Sequence, residues 1–195
     1  MAAHGDPSFQ TDGAPPHLSA PHLSAYGPGN APRGFAAVCE TYPWACSNDG
    51  TGTITGDEEI LAAARRVNAR VNRRIRPLSD AEQFGVAERW TLPSSGAGDC
   101  EDYVLLKLKE LIAAGVPANR LFMAQVMPRD LSQHVVLVVR IGSGDFVLDN
   151  LRPGIRPWHR TGYAFLKMQN GEDAGRWDVV LLGPRTSRRS RRRPG

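Results

Sequence analysis

The hydrophobic pattern of this 195-residue chain changes its period once, near Gly115 and Pro117. Before that point apolar residues recur at helical spacing, first from Ile60 to Ile75 and then from Cys100 to about Ala114. After it, apolar residues alternate with a period of two, as they do in half-buried strands. Helices followed by a run of strands predict an α+β fold, in which N-terminal helices pack on an antiparallel β-sheet.

Local signals set the bounds of these elements. A capping box formed by Thr55 and Glu58 is predicted to begin the first helix, and Pro77 to stop it. Gly115 and Pro117 end the second helix. Five strands are expected, at Leu121–Met127, His134–Ile141, Gly144–Asn150, Tyr163–Met168 and Arg176–Leu182.

The turn between the second and third strands decides which side chains meet. Gly142-Ser143 suits a type II′ turn, which favours glycine at its first central position. In that register Asp149 is a diagonal neighbour of His134 on the same face of the sheet, within hydrogen-bonding reach. The competing turn, Ser143-Gly144, would place Asp149 two residues further from His134.

Both ends of the chain are predicted to be disordered. Residues 1–34 are rich in Pro, Gly, Ser and Ala and repeat Pro-His-Leu-Ser-Ala from Pro16 to Ala25. Residues 184–195 form an arginine-rich tail. One ordered domain is therefore expected over residues 35–183.

Charge and hydropathy exclude several classes of protein. The net charge is +4, but six of the 24 basic residues lie in the tail, which leaves 18 basic against 20 acidic groups. We therefore expect no specific nucleic-acid interface on the body, while the tail either binds anionic polymers or membrane surfaces or is simply a solvated end. No apolar run approaches the ~18 residues of a transmembrane helix, and Met1–Ala31 lacks the apolar core of a signal peptide. A soluble protein without a visible signal peptide is expected.

Cys100 is the candidate nucleophile. It follows the small-residue approach Pro93–Gly98 and opens the second helix, where free N–H groups and the helix dipole favour a thiolate and an oxyanion. Because Cys100 also lies on the apolar stripe of that helix, the alternative is a small buried core residue. The other two cysteines, Cys39 and Cys46, either pair in a disulfide or are reduced and buried.

A nucleophilic thiol needs a base and a group that orients the base. His134 and Asp149 are the candidates, because the predicted hairpin brings them to one face. A histidine or an aspartate alone at such a position has an ordinary structural explanation. Their joint occurrence with a cysteine at a helix N-terminus favours a Cys-His-Asp triad.

Three acids flank the cysteine: Asp99, Glu101 and Asp102. They suit a helix cap and first turn, where carboxylates complement the dipole. They also raise the pKa of a neighbouring thiol and so oppose the thiolate. A bound Ca²⁺ would offset this charge, although three side chains supply fewer than the ~6 to 8 oxygens that calcium takes.

Three motifs in this order resemble the bacterial transglutaminase-like cysteine proteinases. They are Gly98-Asp99-Cys100-Glu101-Asp102-Tyr103, Gln133-His134-Val135-Val136-Leu137 and Phe146-Val147-Leu148-Asp149-Asn150-Leu151. A looser match runs from Phe35 to Leu182. The resemblance implies a papain-like or transglutaminase-like fold, with Cys100 as nucleophile, His134 as base and acid, and Asp149 as the orienting group.

The resemblance also implies a cofactor, a substrate and a compartment. The best-studied relatives are periplasmic proteases that depend on calcium, bound at the positions matching Asp99, Glu101 and Asp102, and that release biofilms by clipping large surface adhesins. It thus implies a periplasmic or secreted cysteine peptidase acting on a protein substrate, with a cell-surface adhesin as the example. A transamidase using the same thioester and an inactive binding module with this fold are the alternatives.

Overall fold

The structure, a computed structural model, describes residues 21–182. The arginine-rich tail and the Pro-His-Leu-Ser-Ala repeat up to residue 20 lie outside the described residues. Within residues 21–182 no helix is long and apolar enough to cross a membrane.

Four α-helices precede most of the sheet. Their bounds are Val38–Thr41 (α1), Asp57–Arg74 (α2), Asp80–Phe84 (α3) and Cys100–Ala113 (α4). The prediction of the two long helices, α2 and α4, is confirmed. The predicted Thr55 capping box is wrong, since Gly56 is the N-cap of α2 and makes no side-chain cap. A capping box forms instead between Ser79 and Glu82 at the start of α3.

Seven strands form one antiparallel sheet: Gly27–Gly29 (β1), Leu121–Met127 (β4), His134–Ile141 (β5), Gly144–Leu148 (β6), Arg156–Pro157 (β7), Ala164–Gln169 (β8) and Trp177–Leu182 (β9). Their order across the sheet is β1-β9-β8-β4-β5-β6-β7. The other two, Arg76–Pro77 (β2) and Ala97–Gly98 (β3), pair in parallel beside the helices. All five predicted strands are present, within two residues of the predicted bounds.

Both faces of the sheet are buried. One face packs against α2 and α4, with Val135, Leu137 and Val139 of β5 in the shared core. The other face forms a second core, in which Val136 and Val138 pack with further apolar side chains, among them Trp158, Phe165 and Leu23. This alternation along β5 follows from the two-residue period of a strand. The predicted α+β arrangement of helices on an antiparallel sheet is confirmed.

The N-terminal segment departs from expectation. Residues 21–34 are ordered, so the prediction of disorder up to residue 34 is wrong for this part of the chain. Leu23 is 4% exposed in the second core, and Gly27–Gly29 pairs with Trp177–Val179 at the edge of the sheet. Backbone ladder bonds at an edge depend little on side-chain type, which is why a Pro- and Gly-rich sequence can dock there. Downstream of this segment, Cys39 and Cys46 are joined by a disulfide.

The β5–β6 hairpin has the predicted register with a different turn. Ile141 pairs with Gly144, and Arg140 lies opposite Asp145, whose carboxylate it binds through two hydrogen bonds of 2.8 and 2.7 Å. The type II′ turn is wrong, because the positive φ belongs to Gly144 (142°) and not to Gly142. Glycine is required at position 144 because a Cβ there would lie 2.6 Å from the Pro21 carbonyl oxygen.

Candidate active site

Two short parallel strands bring two helix N-termini together. β2 pairs with β3, and the Leu78 amide extends the ladder by donating to the Gly98 carbonyl (3.0 Å). Both strands run directly into helices, so Asp80 opens α3 next to the place where Cys100 opens α4. The Asp80 amide donates to Asp99 Oδ2 (3.2 Å), which fixes the two helix starts to each other.

Cys100 is half-buried at the first position of α4, and its Sγ donates a hydrogen bond to Glu101 Oε2 (3.3 Å). Burial raises the pKa of this thiol well above its usual value, and the Glu101 carboxylate raises it further. A hydrogen bond from the Val135 amide acts in the opposite direction and lowers the pKa. With its neighbouring acids uncompensated, Cys100 is therefore held as the neutral thiol.

His134 and Asp149 meet as the hairpin register predicts. His134 opens β5, Asp149 follows β6, and His134 Nε2 lies 2.9 Å from Asp149 Oδ1 in a buried hydrogen bond. Because a carboxylate only accepts hydrogen bonds, this contact fixes the proton on Nε2. Nδ1 is then the nitrogen that can accept a proton.

Further donors hold Asp149 in its charged form. The Tyr163 hydroxyl donates to Oδ2 (2.6 Å), and the Leu151 amide donates to Oδ1 (2.9 Å). Burial raises the pKa of Asp149, but the hydrogen bonds from His134 and Tyr163 outweigh it, so that the pKa lies below the usual value. Asp149 is therefore ionised at neutral pH and can both orient His134 and stabilise its protonated form.

Cys100 and His134 line the same cleft, which has a volume of about 390 Å³ and is also bordered by Ser79, Gln133 and Leu151. They also share a second cavity of about 260 Å³ with Gln133. The Gln125 side chain donates to Gln133 Oε1 (3.3 Å), which leaves the Gln133 amide hydrogens free to act as donors at the cleft. Trp90, by contrast, is not available as a donor, because its Nε1 donates to the Arg33 carbonyl (3.0 Å).

An acidic group adjoins the cysteine. Ligand oxygens of Asp80, Asp99 and Glu101 lie within 4.8 Å of one another. Asp102, which the sequence grouped with Asp99 and Glu101, lies beside this set, and its Oδ1 accepts from the Thr91 amide (2.9 Å).

Several carboxylate oxygens in and beside this group lack hydrogen-bond partners among the described residues. Asp99 Oδ1, Glu101 Oε1 and Asp102 Oδ2 are buried without a hydrogen-bond partner in residues 21–182. Burial, together with the charge of Asp99, raises the pKa of Glu101 to about 10, and burial raises that of Asp102 to about 7. Closely spaced carboxylates with unpaired buried oxygens, as in Asp99 and Glu101, fit a hard cation such as Ca²⁺.

Two residues of this site were missed by sequence reasoning. Asp80 lies 19 positions before Asp99, and two-residue parallel strands leave no periodic signal to connect them. The Ser79 capping box marks the start of α3 and would have been the usable signal. Tyr163 belongs to the region of family resemblance, but nothing in its spacing indicates a hydrogen bond to Asp149.

Comparisons with known proteins identify the family and the fold. The family model for the bacterial transglutaminase-like cysteine proteinase BTLCP matches residues 25–183. Three structures of Legionella pneumophila LapG share the fold. The calcium-bound form has a TM-score of 0.52 at 23% identity, over 65% of this chain and 72% of LapG. Another LapG structure has a TM-score of 0.51 at 24% identity, over 63% and 69%. The EGTA-treated form has 0.52 at 20% identity, over 78% and 87%.

No protein of curated function matches the sequence. The structural likeness confirms the predicted transglutaminase-like fold, and the family model covers most of the chain. This protein therefore belongs to the family of bacterial transglutaminase-like cysteine proteinases.

Proposed function

We propose that this cysteine peptidase hydrolyses peptide bonds of a protein substrate through Cys100, His134 and Asp149. The observation that carries the proposal is the buried hydrogen bond of 2.9 Å between His134 Nε2 and Asp149 Oδ1, at the cleft that Cys100 also lines. A nucleophile, a base and an orienting carboxylate in one cleft are the minimum for thiol-dependent acyl transfer.

The mechanism follows from the tautomer of His134. Nδ1 accepts the proton of the Cys100 thiol, and the sulfur attacks the scissile carbonyl carbon. The resulting oxyanion is held by the Cys100 amide at the helix N-terminus and by the Gln133 side chain. His134 then gives its proton to the leaving amine, and a thioester remains on Cys100. Water, deprotonated by His134, hydrolyses this thioester and regenerates the thiol.

We also propose that Asp80, Asp99 and Glu101 hold Ca²⁺, with Asp102 completing the set as the sequence predicts. The cation would neutralise the carboxylates that raise the pKa of Cys100. Glu101 accepts a hydrogen bond from the Cys100 thiol and also belongs to the acidic group, so it couples the two sites directly. LapG structures in calcium-bound and EGTA-treated forms support this choice of metal.

The Cys39–Cys46 disulfide supports a periplasmic or secreted location, because disulfides persist in oxidising compartments. Under this proposal the substrate is an extracytoplasmic protein. Its identification as a cell-surface adhesin, and with it a role in biofilm release, rests on the family resemblance and stays a prediction.

Cleavage of a proteome-derived peptide mixture tests the proposal, with new N-termini identified by mass spectrometry. We expect new termini with wild type in calcium, and none with Cys100→Ala or His134→Ala. His159→Ala, which removes an exposed histidine, is the matched control and should retain activity. Cleavage that persists in Cys100→Ala, or its absence from wild type, would contradict the proposal. A labelled amine added to the same reaction distinguishes hydrolysis from transamidation, because a transamidase would incorporate it.

A further inference from the structure

A cavity of about 510 Å³ beside the cleft is lined by four arginines. Arg129 follows β4, Arg152 lies in the loop after β6, and Arg156 and Arg160 come from β7 and the turn after it. The wall is completed by Pro128, Leu151, Thr161, Gly162 and Tyr163. We call this cavity the arginine pocket.

Three of the four arginines in the arginine pocket have no compensating charge within the described chain. No acidic side chain lines it, and Arg129, Arg156 and Arg160 form no ion pair with any residue from 21 to 182. Arg152 packs over the Tyr163 ring, 5.6 Å from its centre, and its Nε lies 3.9 Å from Asp149 Oδ2, a carboxylate already bound by His134 and Tyr163. The arginine side chains carry the same charge and repel one another, so an anionic ligand bound between them would lower this electrostatic repulsion.

The arginine pocket opens next to the catalytic cleft. Leu151, which is 62% exposed, lines both cavities, and so forms a shared wall between the arginines and the opening that holds Cys100 and His134. A polypeptide bound in the cleft can therefore extend past Leu151 into the arginine pocket.

We propose that the arginine pocket binds an acidic segment, rich in Asp or Glu, of the polypeptide that the cleft cleaves. Guanidinium groups bind carboxylates through paired hydrogen bonds, and arginines from separate elements can hold successive acidic side chains. This assignment rests on the proposed peptidase function, and names the class of substrate for it.

The surroundings favour an acidic peptide over a nucleic acid. Proteins that bind single strands combine basic groups with aromatic side chains on which bases stack. The aromatic residue of the arginine pocket, Tyr163, is buried and bound to Asp149, and so offers no free face for stacking.

Binding to the Cys100→Ala protein tests the proposal without interference from cleavage. The probes are two fluorescein-labelled peptides of equal length, one containing four glutamates and the other glutamines at the same positions. We expect fluorescence anisotropy to show binding of the glutamate peptide about tenfold tighter, as a few exposed ion pairs would give. Arg156→Gln with Arg160→Gln should abolish most of this preference. Arg65→Gln with Arg66→Gln, an equal loss of charge from exposed positions on α2, should leave it unchanged.

Equal affinity for the two peptides would overturn the proposal, as would equal losses in the two double variants. Two competitors test other anions. Displacement of the peptide by equimolar inorganic phosphate would overturn the assignment to a peptide, and so would tighter binding of an oligothymidylate that depends on Arg156 and Arg160. If wild type cleaves peptides without preferring acidic ones, the arginine pocket proposal fails and the peptidase function stands. If the acidic peptide binds but wild type cleaves no peptide, the peptidase function fails, and with it the identification of the ligand as substrate.

Discussion

Lys107 gives a prediction that links the buried core of α4 to pH. It lies seven residues after Cys100 and therefore on the same side of the helix. The residue is fully buried, and its Nζ has no hydrogen-bond partner among residues 21–182. Lys107 Nζ lies 5.8 Å from the centre of the Tyr103 ring. Burial lowers the pKa of Lys107 to about 7, although the charge of Asp149 raises it in part.

The lowered pKa of Lys107 sets the size and the sign of its effect on the free energy of unfolding. The drop from 10.5 to about 7 corresponds to at most about 5 kcal/mol between the charged and neutral forms. Below pH 7 Lys107 is charged in both the folded and unfolded states, so the whole cost of burying the charge is present. Between pH 7 and 10.5 the unfolded state binds the extra proton, so stability rises with pH, and above that range the cost is gone.

We expect Lys107→Met to raise the free energy of unfolding by about 2–5 kcal/mol at pH 6, and by much less at pH 9.5. Chemical denaturation at the two pH values measures this, and the difference between variant and wild type cancels the other titrating groups. Lys109→Met, at an exposed position of the same helix, is the control and should show no such pH dependence. A stabilisation equal at both pH values, or a loss of stability at pH 6, would refute the reasoning.

Four further predictions concern single contacts. Tyr163→Phe removes a hydrogen bond that lowers the pKa of Asp149, so kcat/KM should fall about tenfold and the acidic limb of its pH profile should move to higher pH; an unchanged profile would contradict this. Asp80→Asn should weaken calcium binding at least tenfold by calorimetry, while the exposed Glu172→Gln should not, and equal affinities would exclude Asp80 as a ligand. Gly144→Ala should cost about 1–3 kcal/mol in denaturant unfolding, because φ is 142° and the Pro21 carbonyl is too close; wild-type stability would mean that residue 21 does not dock there. Replacing both Cys39 and Cys46 by serine should cost about 2–3 kcal/mol, the chain entropy of a short disulfide loop, and no change in unfolding would contradict the disulfide.

Hydrophobic periodicity predicted the long helices and strands best. α2, α4 and β5 have enough apolar positions to distinguish a period of 3.6 from one of two. The register of the hairpin also followed, because a short loop between two such strands allows few pairings. The meeting of His134 with Asp149 could thus be predicted before any coordinates.

Other features have no such pattern. β2 and β3 contain two residues each, and β1 is held to the sheet by backbone bonds that leave little trace in the sequence. For this reason the docking of Leu23 and the approach of Asp80 to Glu101 could not be found by spacing. At the hairpin turn, the Pro21 carbonyl lies against Gly144 and accepts a hydrogen bond from the Asp145 amide, a contact distant in sequence that no local turn signal indicates.

Alkylation of Cys100 tests the central claim most directly, since the chain has three cysteines and the disulfide occupies the other two. The rate of reaction with iodoacetamide at pH 7 is followed by intact mass, with Cys100→Ala as the blank and glutathione as the reference thiol. We predict that wild type in calcium reacts at least tenfold faster than glutathione, and that both calcium chelation and His134→Ala remove this advantage. A wild-type rate no faster than glutathione, unaffected by chelation or by His134→Ala, would contradict the claim that Cys100 is a nucleophile activated by His134 and controlled by the neighbouring acids.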